Sequence, residues 1–588
     1  FRRVSAPSRA AARLLELGLL LITPLVFYRG FSEQFTTIKL VLTEGIVLVA
    51  AGGLLLGMIW RFISWPRDFR LAAPLGLLTI AGLVSCLTSP LPAFSLVEAQ
   101  YFLCGPLWLT FLVSCGRGEA RVRWLGLLAT MAGGAMAVIV LLQWAGRDPL
   151  QFGGFHIEWG TLRPAMRLYS TLGNPNFVAG YLIGALFPVL VLAATARKLV
   201  IKAAGAGAVL VIFAAIIGTR SRGAWVGLVV GLLVARLVWK QPAPKADSSA
   251  ASLDQSKAIP LSAMVLPAGL VLLFPDLTRQ VGAFVTHIEG RLCLVRSSWP
   301  MFTEHPFLGS GWVVFQLRFL DLQARHLNAH PECMHHWTHM RQLHCDPLQM
   351  LLEAGAVGLV AFGWLLWRYG SQVQEVASGS ARATRLWLGA SAGGVAAILV
   401  DSFLNFQFAV PPTLILLFTL LAVPCLLQAG GNADAPVVES KGNSLRKNLT
   451  RAVSSLVMLA ALALLGRGIA LRAAADHALA RGLEQERKGD IARAEQHYRA
   501  GIARTPENGP LHYGLARVLY VKGQYPEALT EVLLADRTVS DSHLEVLRAR
   551  ILDQMGYALP AFEAYRHALW LNPTLETVQA DIERFEGK

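Results

Sequence analysis

Thirteen apolar runs, each close to the length of a membrane-spanning helix, constrain the fold of this chain more than any other feature. A helix needs about 20 predominantly apolar residues to cross the hydrocarbon core of a bilayer. Hydrophobic residues make up 54% of the 588 residues and charged residues only 15%, which is typical of an integral membrane protein. We therefore predict an all-α fold, in which about 12–13 transmembrane helices form a polytopic bundle. The runs lie at 12–28, 37–60, 71–88, 97–115, 124–145, 174–195, 200–218, 223–239, 260–274, 346–367, 384–406, 409–428 and 450–471.

Basic residues are concentrated in alternate connectors between these runs. The cytoplasmic ends of membrane helices carry an excess of Lys and Arg, so these connectors predict which way the chain crosses. On this basis the long polar loop 275–345, the connector 146–173 and the short turn 219–222 face outward. The same topology signals account for much of the formal net charge of +15, so we predict no nucleic-acid partner. The basic connectors are the N-terminus, 61–70, 116–123, 196–202, 236–257, 368–385 and 429–451.

Residues 472–588 change to the composition of soluble helices and contain an internal repeat. Its matching positions, spaced by 34 and 33 residues, are Ala494, Tyr498 and Pro506, then Ala528 and Val532, then Ala561, Tyr565 and Pro573. The pattern resembles the tetratricopeptide repeat, in three copies over roughly 475–576. Stacked helix pairs of this kind form an α-solenoid whose concave surface binds a peptide or a partner protein, although a structural cap without a ligand is an alternative. An odd number of spans places this tail on the same side as the long loop.

Arginine and histidine dominate the outward segments. Residues 287–344 hold eight of the 14 histidines, and neither 146–173 nor 275–345 contains Lys, although both contain Arg. Arg presents a planar fork that binds phosphate or carboxylate oxygens through two parallel hydrogen bonds. For any single arginine, contact with lipid headgroups is an equal alternative. For the group, the pattern favours an anionic ligand.

Two cysteines in or at the edge of this loop raise two further alternatives. Cys333-x-His335-His336-x2-His339 consists of residue types that bind zinc, but its spacing matches no familiar zinc motif. We therefore predict no metal site and no cofactor. If the loop faces an oxidising compartment, Cys333 and Cys345 are candidates for a disulfide, which the sequence alone cannot assign.

Four short motifs follow one another along the membrane region and the loop. They are Ser170-Thr171-Leu172-Gly173-Asn174-Pro175-Asn176, Thr219-Arg220-Ser221-Arg222-Gly223-Ala224, Arg291-x14-Pro306-x2-Gly309-x-Gly311, and His344-x-Asp346-x-Leu348-Gln349 with Glu353-x-Gly355. In this order, and with this number of spans, the region of roughly 10–430 resembles the O-antigen ligase and O-antigen polymerase superfamily.

The resemblance implies an integral glycosyltransferase of the GT-C type that acts in lipopolysaccharide biosynthesis. Such enzymes take a glycan from undecaprenyl pyrophosphate at the outer face of the bacterial inner membrane and transfer it to lipid A-core, to a growing glycan or to a protein. By position, His344 corresponds to the general base, and Arg291, Arg222 and Arg220 correspond to the arginines that hold the pyrophosphate. His344 and Arg291 are the predicted catalytic residues. Further candidate ligand residues are Arg167, Asn174, Asn176 and Asp346.

The chemistry of the transfer agrees with these roles. A departing pyrophosphate needs charge stabilisation, which arginines supply without a metal, and the acceptor hydroxyl needs a base, for which histidine suits neutral pH. The chain departs from the family pattern at three places, where Val295, Cys345 and Pro347 replace a Trp, an Asn and an aromatic residue. Several residues of the four motifs could instead have a purely structural role. Arg220 and Arg222 could form ion pairs with Glu158, Glu289 or Asp346, Asn174 could cap a helix, and Glu353 could be a structural hydrogen-bond partner.

These observations predict a membrane glycosyltransferase domain over 1–430, which contains the catalytic loop 275–345. A cytoplasmic linker (431–449) and one more span (450–471) lead to the repeat domain, and we expect the loop and the repeats to be periplasmic. Ligase, polymerase and protein oligosaccharyltransferase all remain open, because the motifs do not encode the acceptor. Alternatives of other classes are a lipid or glycan transporter and a membrane scaffold. Against a transporter, the sequence shows no inverted repeat of broken helices.

Overall fold

The computed structural model describes residues 6–63, 65–66, 68–151, 168–241, 277–428 and 444–586. All regular secondary structure within these ranges is helical, so the predicted all-α class is confirmed. The predicted span 260–274, most of the linker 431–449 and Arg167 lie outside the described residues. The helices before the repeats are α1 (Ala6–Leu17), α2 (Thr23–Leu25), α3 (Thr37–Ile59), α4 (Ala72–Ser85), α5 (Pro92–Ser114), α6 (Glu119–Trp144), α7 (Pro175–Thr195), α8 (Leu199–Thr219), α9 (Arg222–Trp239), α10 (Leu277–Glu304), α11 (Val314–Ala329), α12 (Asp346–Ser378), α13 (Arg382–Ser402), α14 (Pro411–Leu427) and α15 (Ser444–Arg487).

Every predicted span within the described residues coincides with a helix. Nine of the helices in these ranges, namely α3, α5, α6, α7, α8, α9, α12, α13 and α15, are long and apolar enough to cross a bilayer. Two shorter apolar helices, α4 with the turn that follows it and α14, accompany them. The first predicted span is a helix in parts, because the π-helical turn Gly18–Ile22 separates α1 from α2. The chain is therefore a multi-pass membrane protein.

Small residues allow α9 and α13 to pack very closely. A Cβ atom at Gly227 would lie 2.4 Å from the carbonyl oxygen of Ala397, and one at Gly231 would lie 2.4 Å from that of Gly393. Glycine at such positions lets two helix backbones approach each other in a membrane. This contact fixes the first turn of α9 beside the last turn of α13, which is where the candidate site lies.

The long polar loop is folded, with α10 and α11 packed around a small apolar core of its own. A disulfide joins Cys293 in α10 to Cys333, with their Cα atoms 6.0 Å apart. Cys345 is a free thiol. The pairing of Cys333 with Cys345 considered from the sequence is therefore wrong, because the turn that carries Cys333 folds against α10 and not against the start of α12.

The tail forms the predicted α-solenoid, in which the end of α15 is the first helix of the first repeat. A glycine with positive φ follows the first helix of each pair, at Gly489, Gly523 and Gly556. The left-handed conformation suits glycine, and it turns the chain back into an antiparallel partner. The remaining helices are α16 (Ile491–Ile502), α17 (Gly509–Val521), α18 (Tyr525–Ala535), α19 (Ser542–Gln554), α20 (Ala558–Leu571) and α21 (Glu576–Glu586).

The last repeat packs directly on the long loop. Trp337 Nε1 in the loop donates a hydrogen bond to the carbonyl oxygen of Leu571, at 2.9 Å. Leu320 and Ala324, on one face of α11, form an apolar cluster with Leu571 and Trp570 of the repeat domain. The loop and the repeats are therefore held together on the same side of the bundle.

A second anchor lies where α15 leaves the membrane region. Arg472 forms an ion pair with the buried Glu44 of α3, and its Nη1 lies 3.8 Å from Glu98 Oε1 of α5. Further along the same helix, His477 Nδ1 donates a hydrogen bond to the carbonyl oxygen of Gly30, at 2.7 Å. The repeat domain is thus attached to the bundle through α15 as well as through the loop.

We expect Trp570→Ala to loosen the contact between the last repeat and the loop. The substitution removes a large aromatic side chain from the cluster on α11, and aromatic rings contribute much of the apolar area at such contacts. In hydrogen–deuterium exchange, α11 should exchange about tenfold faster, which corresponds to about 1.4 kcal/mol. Tyr557→Ala, at an exposed aromatic of the same domain, is the control. Unchanged protection of α11 in Trp570→Ala would contradict the docking described above.

Candidate functional site

Residues 401–408, at the end of α13 and in the turn before α14, form a segment that we call the hub. Asp401 is fully buried, and its carboxylate oxygens accept hydrogen bonds from Asn405 Nδ2 (2.7 Å) and Gln407 Nε2 (2.6 Å). A carboxylate in a membrane protein needs such partners, because an unpaired buried polar group is costly. The network fixes the backbone of the hub, and groups that contact the hub are fixed with it.

Arg291 and His344 both contact the hub. Arg291 Nη2 donates a hydrogen bond to the carbonyl oxygen of Leu404 (2.8 Å), and the His344 ring meets the ring of Phe406 edge-on, with 4.6 Å between centroids. Burial, and after it the positive charge of Arg291, lower the pKa of His344 to about 4. The imidazole is therefore neutral at neutral pH, which is the form that accepts a proton.

The turn between α8 and α9 reaches the same hub. Arg220 adopts a left-handed backbone with φ 55°, and α9 begins at Arg222. Gly223 lies so close to the hub that a Cβ atom there would be 2.4 Å from Asp401 Oδ1. Ser221, between the two arginines, is buried, and its Oγ has no hydrogen-bond partner among the described residues. The turn thus combines two guanidinium groups, an unpartnered hydroxyl and the free N–H groups at the start of a helix.

The outward arginines within the described ranges differ in whether they have a carboxylate partner. The arginines that form ion pairs are Arg318 with Glu304, Arg325 with Asp321, and Arg341 with Glu33. In the described part of the chain, no carboxylate lies within ion-pair distance of Arg220, Arg222 or Arg291, and all three side chains are exposed. The suggested pairing of Arg220 and Arg222 with Glu289 or Asp346 is therefore wrong, and Glu158 lies outside the described residues.

Asn174, Asn176 and Asp346 tie neighbouring helices together. Asn174 Oδ1 accepts a hydrogen bond from the backbone N–H of Asn176 (2.9 Å), so the predicted cap at the start of α7 is confirmed. The carbonyl oxygen of Asn176 accepts from Gln407 Nε2 (3.0 Å), and Asp346 Oδ2 accepts from the backbone N–H of Phe408 (3.0 Å). The starts of α7 and α12 are thus both bonded to the hub.

The motif from Pro306 to Gly311 interlocks with a kink in α12. Gly355 has φ 69° and ψ −175°, a conformation essentially restricted to glycine, and a Cβ atom there would lie 2.3 Å from the carbonyl oxygen of Phe307. Backbone bonds join the two segments, from Ser310 N to Leu352 O (3.0 Å), from Gly311 N to Glu353 O (3.0 Å) and from Ala356 N to Pro306 O (2.9 Å). Two of the sequence motifs therefore form one structural unit, which places the start of α12.

A cavity of about 120 Å³ lies beside Asp346, between α4, α5, α12 and α14. Its wall is largely apolar and aromatic. Carboxyl and amide groups interrupt this wall at Glu98, Gln342, Asp346, Gln349 and Glu353. The cavity shares Asp346 and Phe408 with the contacts of the hub, so it adjoins the surroundings of His344.

The histidine-rich part of the loop does not form the zinc site considered from the sequence. The sulfur of Cys333 is bonded to Cys293, which removes it as a ligand. The rings of His335 and His336 contact each other at a tilt of 43°, with 3.9 Å between ring centroids. Within the described ranges, no three His, Cys, Asp or Glu side chains are grouped so that they could hold a metal ion.

Sequence analysis did not identify the hub. Asp401, Asn405 and Gln407 place one acid and two amides within seven residues at the end of an apolar run. So many polar groups are unusual at the end of an apolar run, and they are the one feature of the sequence that could have indicated the hub. Polar residues at the end of a span ordinarily face headgroups, however, and only the structure brings these side chains against Arg291, His344 and the α8–α9 turn.

Comparison with protein families agrees with the two resemblances. Residues 207–363 match the family described as O-antigen ligase, and residues 487–551 match the tetratricopeptide repeat family. The first match begins in α8 and ends within α12, so it contains Arg220, Arg222, Arg291 and His344. No curated protein sequence matches the chain. The chain thus contains a region that matches the O-antigen ligase family, followed by a region that matches tetratricopeptide repeats, as the motifs predicted.

We expect Gly355→Ala to destabilise the protein. The backbone conformation at this position costs a residue with a side chain about 1–3 kcal/mol, and the clash with Phe307 adds to that cost. The measurement is the thermal unfolding midpoint of protein in lipid nanodiscs, which should fall by several degrees. Gly363→Ala, on an exposed face of the same helix with no atom within 4 Å of the new Cβ, is the control and should be neutral or slightly stabilising. Equal midpoints for the two variants would refute the interlock.

Proposed function

We propose that this chain, with its O-antigen ligase region and its repeats, is a glycosyltransferase of the inner membrane. It transfers a glycan from undecaprenyl pyrophosphate to an acceptor hydroxyl, as O-antigen ligases do. The observation that carries the proposal is the convergence of Arg291, the Arg220–Arg222 turn and His344 on one segment, the hub. The O-antigen ligase match over 207–363, which contains all of these residues, supports it.

The exposed arginines suit the donor pyrophosphate. Arg220, Arg222 and Arg291 lie around the hub, and in the described part of the chain they have no carboxylate partner. Guanidinium groups bind phosphate oxygens through paired hydrogen bonds, and the start of α9 adds N–H groups that favour an anion. Charge that develops on the departing pyrophosphate is therefore stabilised without a metal ion.

His344 is suited to act as the base on the acceptor. The acceptor oxygen attacks the anomeric carbon, its proton passes to the imidazole, and the bond between that carbon and the pyrophosphate oxygen breaks. The pyrophosphate leaves with the electron pair of that bond, and the proton on His344 is then released to solvent. Attack from the face opposite the leaving group inverts the anomeric centre.

The Cys293–Cys333 disulfide supports a periplasmic position for the loop. Disulfides persist in oxidising compartments, and the bacterial periplasm is one of them. The repeat domain packs on the same loop, so it is periplasmic as well. The acceptor is then lipid A-core, a second carrier-linked glycan or an exported protein, and the repeats are a docking surface for a partner protein on that side.

Transfer by purified protein in lipid nanodiscs tests the proposal. With undecaprenyl-pyrophosphate glycan and each acceptor class in turn, we expect His344→Ala to lower kcat by about 10²–10⁴-fold, because the base is lost. Arg222→Gln and Arg291→Gln should each lower kcat/KM by about 10²–10³-fold, because charge stabilisation of the leaving group is lost. Arg325→Gln, whose arginine is already paired with Asp321, is the control. Full turnover in His344→Ala would rule out the base assignment.

The pH dependence of transfer tests the electrostatics separately. The free enzyme loses activity as pH falls through the pKa of His344, so the acidic limb of kcat/KM should lie near pH 4. A bound pyrophosphate counters the charge of Arg291 and raises this pKa, so the acidic limb of kcat should lie at higher pH. In Arg291→Gln the limb of kcat/KM should also move up. A single limb near pH 6.5 in both profiles would contradict the burial of His344.

A further inference from the structure

We infer that the cavity beside Asp346 binds a neutral sugar ring, and that this ring belongs to the acceptor. The second half of this inference rests on the proposed function, whereas sugar binding itself does not. Two independent observations carry it. One is an unsatisfied carboxyl oxygen on a buried residue that lines the cavity, and the other is the chemical character of the wall as a whole.

Glu353 is the unsatisfied group. Its side chain is only 2% exposed and lines the cavity, and its Oε1 has no hydrogen-bond partner among the described residues. Leaving a buried acceptor without a donor costs about 1–3 kcal/mol. A small rotation of the Glu353 carboxyl group would bring this oxygen to the cavity, where a ligand hydroxyl group would supply the missing hydrogen.

The rest of the wall suits a sugar. Glu98, Asp346 and Glu353 are hydrogen-bond acceptors for hydroxyl groups, and Gln342 adds an amide. Trp312 stacks on Phe102 with 4.1 Å between ring centroids, and both rings line the cavity, where they offer apolar faces to the C–H groups of a pyranose. Ligand sites commonly combine such an apolar wall with a few placed polar groups. A hydrocarbon chain would leave the carboxyl groups without donors, so it fits less well.

Charge separates this cavity from the donor side of the site. Within the described residues, Arg472 is the cation nearest to the cavity acids, at 3.8 Å from Glu98, and it is already paired with Glu44. A phosphate buried beside these acids would have no free cation among the described residues to pair with, which is costly, so pyrophosphate is favoured at the arginines and not here. The same cost disfavours an acidic sugar. The ligand class is therefore a neutral pyranose whose hydroxyl group faces the region of His344, two residues before Asp346.

Direct binding tests the inference without any transfer reaction. The protein is held in lipid nanodiscs, because maltoside detergents carry sugar headgroups that would compete. The probes are methyl α-D-glucopyranoside, methyl α-D-galactopyranoside, the methyl glycoside of N-acetylglucosamine and methyl glucuronide, observed by saturation-transfer NMR. We expect at least one neutral glycoside to bind the wild-type protein and the glucuronide to bind at least tenfold more weakly. Glu353→Gln should weaken binding of the neutral glycoside by at least tenfold.

Matched variants distinguish a binding role from a structural one. Glu375→Gln, at an exposed position of the same helix, is the control and should bind like the wild type. If Glu353→Gln fails to fold, Glu98→Gln carries the test from α5, another helix that lines the cavity. Absence of binding by every neutral glycoside means that the cavity holds water only and overturns the inference. Equal binding of the glucuronide, or unchanged binding in a folded Glu353→Gln, overturns it as well.

The transfer assay then tests whether this sugar is the acceptor. In Glu353→Gln, the KM for the acceptor should rise at least tenfold while the KM for undecaprenyl-pyrophosphate glycan stays within twofold. A purely structural defect would change both. If the wild-type protein transfers no glycan but binds a neutral glycoside, the proposed function fails and the sugar site stands. If it transfers glycan with an unchanged acceptor KM in Glu353→Gln, the function stands and the acceptor assignment fails.

Discussion

The hydrogen bonds around Asp401 hold together the part of the molecule on which the site depends. A carboxylate buried at the end of a membrane helix is tolerated because two amides from the following turn satisfy its oxygens. Other backbone and side-chain groups of this turn then contact parts of the chain that are distant in sequence. Those groups are Leu404 O for Arg291, the Phe406 ring for His344, Phe408 N for Asp346, and the side chain of Asp401 itself for Gly223. One buried carboxyl group thus sets the relative positions of the long loop, α9 and α12.

The surroundings of His344 are electrostatically asymmetric. Exposed guanidinium groups lie around the hub, and buried carboxyl groups line the adjoining cavity. Burial, and after it the charge of Arg291, lower the pKa of His344 and keep the imidazole neutral in the absence of an anion. In the proposed mechanism, a bound pyrophosphate counters the charge of Arg291, so the imidazole becomes a stronger base when the leaving group is in place. The placement of charges would then favour proton transfer only after the donor has bound.

Much of the fold follows from the sequence because its signals are local and repeated. Membrane-length apolar runs, and turn glycines such as Gly489 and Gly523, each specify their own element whatever surrounds it. The positions of Arg222, Arg291 and His344 near one another were implied by a family resemblance and not by any local signal. The Cys293–Cys333 disulfide and the hub depend on which distant segments meet. Spacing alone could not select Cys293 over Cys345 as the partner, because it carries no information about the fold of the loop between them.

The repeat domain packs against the elements that form the site and is not merely linked to them by the chain. Helix α15 runs without a break from the membrane region into the first repeat, and Arg472 along it pairs with Glu44 while lying beside Glu98 in the cavity wall. At the other end of the solenoid, Trp570 and Leu571 pack on α11, within the loop that carries Arg291 and His344. The solenoid therefore joins two attachment points, one where α15 meets α3 and α5 and one where α20 meets the loop. A displacement of α15 relative to α20 would strain both contacts, because the packed helices of the repeats connect them.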